Sequence, residues 1–242
     1  GFGNAVALSA DGSRLGVGSS SESASGTDSG AVYVFARSQM GWTQEARLIA
    51  SNADASDGFG YSIALSADGD TLAASAIAEG SNAIGIGGDQ SDNSKPGSGA
   101  VYIFVRTGPD WSQQAYVKAS NTDEYDRFGN SLSLSSDGST LAVGALFEGS
   151  PATGIGGVET DRDAVSAGAV YVFQRVGTEW AQQAYVKASN ARAHSNFGTA
   201  VSVSGDGKMM VVGASGEDGG ATGINGNQAD TSKADSGAVY IY

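Results

Sequence analysis

The sequence predicts an all-β fold, a β-propeller of four-stranded antiparallel blades with four blades present, and three observations carry that prediction. The dipeptide Phe-Gly recurs at Phe2, Phe59, Phe128 and Phe197, at spacings of 57, 69 and 69 residues. An Asp-Gly turn and a Gly-Ala-Val-Tyr run recur in phase with it, four times each. Two-residue apolar alternation follows each Phe-Gly, and no segment carries a helical period. A repeat of this size cannot bury a face alone, and stacking blades of four strands around an axis solves that problem.

Within each unit the first strand follows Phe-Gly. Its apolar positions are Val6 and Leu8, Ile63 and Leu65, Leu132 and Leu134, and Val201 and Val203. Period two implies one buried face. Asp11-Gly12, Asp68-Gly69, Asp137-Gly138 and Asp206-Gly207 supply the positive-φ positions of a tight hairpin. The second strand runs through Leu72–Ala76, Leu141–Ala145 and Met210–Ala214, with Leu15–Gly18 as its weakest copy. The third, Gly30–Phe35, Gly99–Phe104, Gly168–Phe173 and Gly237–Tyr242, lacks polar alternation and is expected to be covered on both faces. A fourth strand opens at Trp42, Trp111 and Trp180. Its tail, Gln-Gln-Ala-Tyr-Val-Lys-Ala-Ser-Asn, is identical at 113–121 and 182–190. The blades therefore fall at approximately 1–52, 53–121, 122–190 and 191–242.

From Glu22 to Gly30 is 8 residues, whereas Glu79 to Gly99, Glu148 to Gly168 and Glu217 to Gly237 are each 20. The shorter first repeat thus reflects one loop, between the second and third strands. The fourth unit reaches Tyr242 without a tryptophan strand. Ala238–Tyr242 is then an apolar edge with unpaired backbone, expected to be covered by further chain or by another copy.

The chain has 242 residues, a formal net charge of −13, 37 glycines and no cysteine. The acidic balance argues against nucleic acid, which selects a basic stripe, and against an anionic membrane surface. No run approaches the ~18 apolar residues of a membrane span. Absence of cysteine removes disulfides, thiol nucleophiles and thiolate metal sites. The sequence opens inside a motif, at Gly1-Phe2-Gly3, as expected of a mature or cropped chain.

Phe-Gly, a short strand, Asp-Gly, Leu141-Ala-Val-Gly-Ala145 and Gly168-Ala-Val-Tyr-Val-Phe173 resemble the FG-GAP repeat of integrin α-subunit propellers. The closer likeness is to the bacterial secreted branch, through the loop Ala221-Thr-Gly-Ile-Asn-Gly-Asn-Gln228. The resemblance implies an innermost Phe-Gly strand, an outermost tryptophan strand and a larger propeller of about seven blades. It also implies an extracellular or cell-surface protein that binds protein or glycan through its loops, with calcium as a cofactor. Two departures qualify it. The family's calcium loop has several acids between the first two strands, and this chain has a single Asp there in each copy. Calcium takes 6–8 oxygen ligands, so the metal reading fails at that loop. The family's proline after the second strand is replaced by Ser20, Ile77, Leu146 and Ser215.

Calcium ligands are therefore sought in the long loops, at Asp89, Asp92, Glu159, Asp161, Asp163 and Asp230. Gln90 and Asn227 accompany them, and a second acidic group, Asp54, Asp57, Asp123 and Asp126, precedes Phe-Gly. The plainer reading is that such acids form Asx turns and keep the surface soluble. Trp42, Trp111 and Trp180 offer sugar-stacking platforms, but their repeat spacing favours a role in closing each blade on the next. Tyr116 and Tyr185 follow the same reading. His194, the single histidine, has no nucleophile or orienting partner in sequence and reads as a solvated loop residue. No Gly-x-Ser-x-Gly elbow is present, and Gly85–Gly88 lacks the lysine and helix of a phosphate loop. The expected function is a non-catalytic recognition or adhesion module. The alternatives are a structural repeat of a surface protein or fibre and, behind both, a glycan-active enzyme built on a propeller.

Overall fold

The computed structural model describes residues 1–242 and contains fifteen strands and no helix. Blade one comprises β1 (Phe2–Leu8), β2 (Arg14–Ser19), β3 (Ala31–Ser38) and β4 (Gly41–Leu48). Blade two comprises β5 (Ile63–Leu65), β6 (Thr71–Ala76), β7 (Ala100–Thr107) and β8 (Asp110–Val117). Blade three comprises β9 (Phe128–Leu134), β10 (Thr140–Ala145), β11 (Ala169–Val176) and β12 (Glu179–Val186). Blade four has three strands, β13 (Phe197–Val203), β14 (Met210–Ala214) and β15 (Ala238–Ile241). Each blade is an antiparallel meander in sequence order, and the missing tryptophan strand leaves the outer edge of β15 without a neighbouring strand.

The first strands of successive blades lie side by side, β1 with β5, β5 with β9 and β9 with β13. The Phe-Gly strand is therefore innermost and the tryptophan strand outermost. Three apolar cores result, each lying between two consecutive blades. Val32, Val34, Phe59, Leu72 and Tyr102 join blades one and two. Val101, Ile103, Phe128, Leu141 and Tyr171 join blades two and three, and Val170, Val186, Phe197 and Val212 join three and four. None joins four to one. Accordingly Phe2, Val6 and Leu8 are 63%, 65% and 57% exposed, although their counterparts in blades two to four are buried or half-buried. The face of β1 expected to be buried is exposed because no other blade of residues 1–242 packs against it.

The Phe-Gly motif acquires its physical reason at these junctions. The Phe59 ring meets Tyr102 and Phe104 of its own blade edge-on at 5.4 and 6.0 Å while also packing on blade one. Its neighbour Gly60 has φ +87°, and an added Cβ would lie 2.7 Å from the Ala31 carbonyl oxygen of blade one. Tryptophan closes the outer side. Trp180 is buried against blade two and donates from Nε1 to Gln114 Oε1 at 3.0 Å. Trp111 packs on the core between blades one and two, whereas Trp42, lacking a preceding blade, is exposed. Tyr116 and Tyr185 are fully buried. The blade-closing reading of these aromatics therefore holds in blades two and three.

Candidate functional site: the long-loop rim and its buried supports

The Asp of each Asp-Gly turn is a turn acceptor. Asp11 Oδ1 takes the Ser9 hydroxyl at 2.7 Å and the Ser13 N–H at 2.9 Å, which hold its pKa down at about 2. Asp68, Asp137 and Asp206 repeat the arrangement.

At the other end of each blade, strand two leads into the long loop through a glutamate. Glu79 and Glu148 are buried, and each sits at a carboxylate-centred junction. Glu79 accepts from Lys118 Nζ at 2.7 Å, Tyr116 Oη at 2.9 Å, Asn52 Nδ2 at 3.1 Å and the Ser81 N–H at 3.2 Å. Asn52 belongs to the connection leaving blade one, and its Oδ1 accepts from Tyr102 Oη at 2.7 Å. The network thus ties the end of one blade to the centre of the next. Blade three repeats it: Glu148 accepts from Lys187 Nζ at 2.6 Å, Asn121 Nδ2 at 3.1 Å and the Ser150 N–H at 3.1 Å, while Tyr171 donates to Asn121. Burial pulls the Lys118 and Lys187 ammonium groups down, against the pull of the paired glutamates, and pushes the Tyr102 and Tyr171 phenols well up.

These supports hold the long loops along the outer rim. The loop of blade two doubles back onto β8, with Ile86 bridged to Val117, Lys118 N–H donating to the Gly85 carbonyl at 2.8 Å and Gly87 N–H to the Tyr116 carbonyl at 2.9 Å. Blade three does the same through Gly154, Ile155 and Gly156 against Tyr185–Lys187. A loop read as a plain insertion is therefore an edge cover. Blade one, with its short loop, leaves β4 uncovered and carries Arg47 and Ile49 where the other blades carry Tyr and Lys. There Arg47 reaches Glu22 at 2.6 Å from the partly exposed edge.

Four of the six sequence-predicted metal residues lie in these loops as local turn acceptors, and Asp163 enters only as the backbone donor to Asp161. Asp89 Oδ1 takes the Ser91 N–H at 2.9 Å, Asp92 that of Ser94 at 2.7 Å, Asp161 that of Asp163 at 3.1 Å and Asp230 that of Ser232 at 2.9 Å. Glu159 accepts from the Ser120 hydroxyl of the blade-two tail. No three His, Asp or Glu side chains are grouped closely enough to hold a metal ion. With turn donors on four of these carboxylates and no close group of three acids, a chelator is expected to leave the melting temperature unchanged. A fall that added calcium restores would assign the loops to the ion.

The second acidic group is divided by its neighbours. Asp126 is buried and accepts from Arg162 Nη1 through both oxygens at 2.9 Å. Asn93 occupies the place of Arg162 in blade two and bonds Asp54 instead, at 2.8 Å. Asp57 is left without a cation in contact. Burial, with Glu79 and Asp54 nearby, pushes its pKa up to about 6. A carboxyl raised in the folded state stabilises below its unfolded value, and that contribution is lost as pH rises through about 6. Asp57→Asn should therefore raise stability at pH 7.5 by roughly 1 kcal/mol, after allowing for solvent screening, and change nothing near pH 4. Thermal melts of the two proteins across that range check it, and equal curves at pH 7.5 would contradict it. His194 is exposed in a left-handed turn, φ 64°, as a solvated loop residue.

Sequence reading missed the buried glutamates and their lysines. The signal was present: Glu22, Glu79, Glu148 and Glu217 stand in phase, and a lysine interrupts the apolar tail at the same place twice.

Comparison with solved structures gives the same architecture. The chain is similar to Saccharomyces cerevisiae Sqt1 at a TM-score of 0.50 and 10% identity, covering 90% of this chain and 43% of that one. It is similar to the Dos1 propeller at a TM-score of 0.50 and 14% identity, covering 87% and 38%. At such identities the likeness shows the fold alone, and the chain spans less than half the length of these two proteins. No curated protein matches the sequence. The FG-GAP repeat model matches residues 42–104, 111–173 and 180–242. Each matched unit begins on the tryptophan strand of one blade and ends on the third strand of the next, so the sequence repeat is one strand out of phase with the blade. With three in-phase matches over most of its length, the chain belongs to the FG-GAP repeat family.

Proposed function

We propose that this propeller is a non-catalytic recognition module of an extracellular or cell-surface protein, binding protein or glycan through the long-loop rim. The observation that carries this reading is a constant support beneath a varied surface. Loops 80–98 and 149–167 share their edge pairing and buried glutamate, yet the exposed Asn82, Ile84 and Asp89 of one correspond to the exposed Pro151, Thr153 and Val158 of the other. Fixed backbone with exchanged side chains is how scaffolds present binding residues. The best-buried carboxylates, Glu79 and Glu148, are engaged by lysines away from solvent, which supports a structural role for them over acid–base work. The net charge of −13 favours neutral or basic ligands. The test is an array of glycans and matrix proteins probed with the wild-type chain and with a variant whose exposed residues Val158, Asp161 and Val165 are replaced by Ser. Binding that the variant loses while its melt is unchanged supports the proposal. No binding, or binding indifferent to the substitutions, contradicts it.

The exposed apolar faces of β1 and β15 favour a second reading, a structural repeat that stacks end to end. Concentration-dependent association in sedimentation would distinguish it.

A further inference from the structure

In blade three Arg162 lays its guanidinium across a set of four acceptors. Its Nη1 donates to both Asp126 oxygens at 2.9 Å and lies 3.9 Å from Glu148 Oε1. Its Nη2 donates to the Asn121 carbonyl, and its Nε lies 3.5 Å from Asp123 Oδ2. Blade two keeps all four acceptors at the same places in the repeat, as Asp57, Glu79, Asn52 and Asp54. They are also held alike. Asn52 and Asn121 each donate from Nδ2 to the buried glutamate at 3.1 Å and to a long-loop carbonyl, that of Gln90 or Glu159.

The donor differs. The two long loops run in the same register, because the Gly80 carbonyl accepts from Lys95 N–H at 2.8 Å and the Gly149 carbonyl from Ala164 N–H at 2.9 Å. That register puts Asn93 where Arg162 stands, and its short amide reaches Asp54 alone, at 2.8 Å. A second cation changes too: Lys95 reaches Asp123 at 2.7 Å, whereas its counterpart in the short loop of blade one is Gly26. Blade three thus sets Arg162, Lys95 and Lys187 against three acids, and blade two sets Lys118 alone against three. Asp57 is 5% exposed, and its carboxylate accepts the Asp54 N–H at 2.8 Å but no side-chain donor. Asp54 and Asn93 are exposed, so the set borders solvent. Its acids are not grouped closely enough to share a metal ion, but a guanidinium spreads its donors over a plane and spans such a set.

We propose that the Asn52 carbonyl, Asp54, Asp57 and Glu79 form an acceptor site for the guanidinium of an arginine side chain that a partner segment supplies. The fork meets both oxygens of Asp57, as Arg162 meets Asp126, and displaces the Asn93 amide from Asp54. An ammonium brings the same charge as a compact point and matches this spread of acceptors poorly. The four acceptors and Asn93 lie within residues 52–93, away from both ends of the chain. The site does not rest on the recognition reading, whose test alters blade three, so either can fail without the other.

The probes are the Nα-acetylated methylamides of arginine and of lysine, titrated into the intact chain at pH 7.5 and low salt. Binding is read by NMR from the carboxyl carbons of Asp54 and Asp57. Saturable shifts are expected with the arginine probe, and roughly ten-fold weaker binding with the lysine probe. Asp57→Asn should weaken arginine binding by roughly ten-fold, the loss expected of a charge-assisted bond. Asn93→Arg, which supplies the guanidinium from the chain itself, should abolish binding and raise the melting temperature. Asp57→Asn is expected to fold, so the test stands even where the arginine variant does not. No shift at either carboxyl, equal affinity for the two probes, or binding indifferent to Asp57→Asn overturns the proposal. Calcium that displaces the arginine probe would give the acids to a metal and overturn it equally.

Discussion

Lys187→Met is expected to cost about 3–5 kcal/mol, the usual penalty for stripping one partner from a buried ion pair. The substitution leaves Glu148 enclosed with Asn121 and the Ser150 N–H as its close donors and the Arg162 guanidinium, at 3.9 Å, as its remaining cation. At this chain length the loss corresponds to a fall in melting temperature of roughly 10 °C. Adding Glu148→Gln should recover much of it, because a neutral amide tolerates the apolar neighbour. The pair of melts separates a desolvated ion pair from simple packing, since lost packing would not be rescued by changing the other partner. The same reasoning applies to Lys118 and Glu79, which are buried at an ammonium–carboxylate distance of 2.7 Å and have no arginine in the place of Arg162.

The second large effect concerns glycines at blade junctions. Gly168 has φ +81°, and a Cβ placed on it would lie 2.0 Å from the Phe197 carbonyl oxygen and 2.5 Å from the Phe197 nitrogen. Both are backbone atoms of blade four, so neither can swing away. Gly237 occupies the same place in the repeat with φ +75°, but its nearest neighbour would be 3.6 Å away. Gly168→Ala should therefore cost about 3–5 kcal/mol, from left-handed strain plus overpacking, and Gly237→Ala about 1–2 kcal/mol, from strain alone. Denaturant unfolding of the two variants measures the difference. Equal losses would mean that the glycine serves only the turn and not the approach of the next blade.

The blade order was legible in the sequence because strand, turn and glycine signals coincide in phase four times. Phe59-Gly60, Asp68-Gly69 and Gly99-Ala-Val-Tyr each mark a local backbone requirement, and local requirements are written in local residues. The burial of a strand face was less legible. Val6 and Val201 occupy the same position in the repeat, yet one is exposed and the other half-buried. That difference is set by whether a preceding blade is present. The loop's return onto β8 was hidden for a related reason: Ile86 and Val117 are 31 residues apart, and their pairing depends on a groove that the third and fourth strands create first. The buried Glu79–Lys118 pair was missed because charge in a repeat suggests surface. The recurrence of one acid and one base at fixed phase inside apolar tails was the available clue. Asp89, Asp92, Asp161 and Asp230 were visible as oxygen-bearing loop residues, but spacing alone does not separate an Asx turn from a ligand.

Three buried cores join consecutive blades, and none joins the first blade to the last. Hydrogen exchange resolved by strand tests this directly, because amide protection follows local opening. Strong protection is expected in β6, β7, β10 and β11, which lie between covered faces, and fast exchange in β1 and β15. Protection of β1 and β15 equal to that of β9 in a monomeric sample would mean that blade one closes on blade four, and would contradict it.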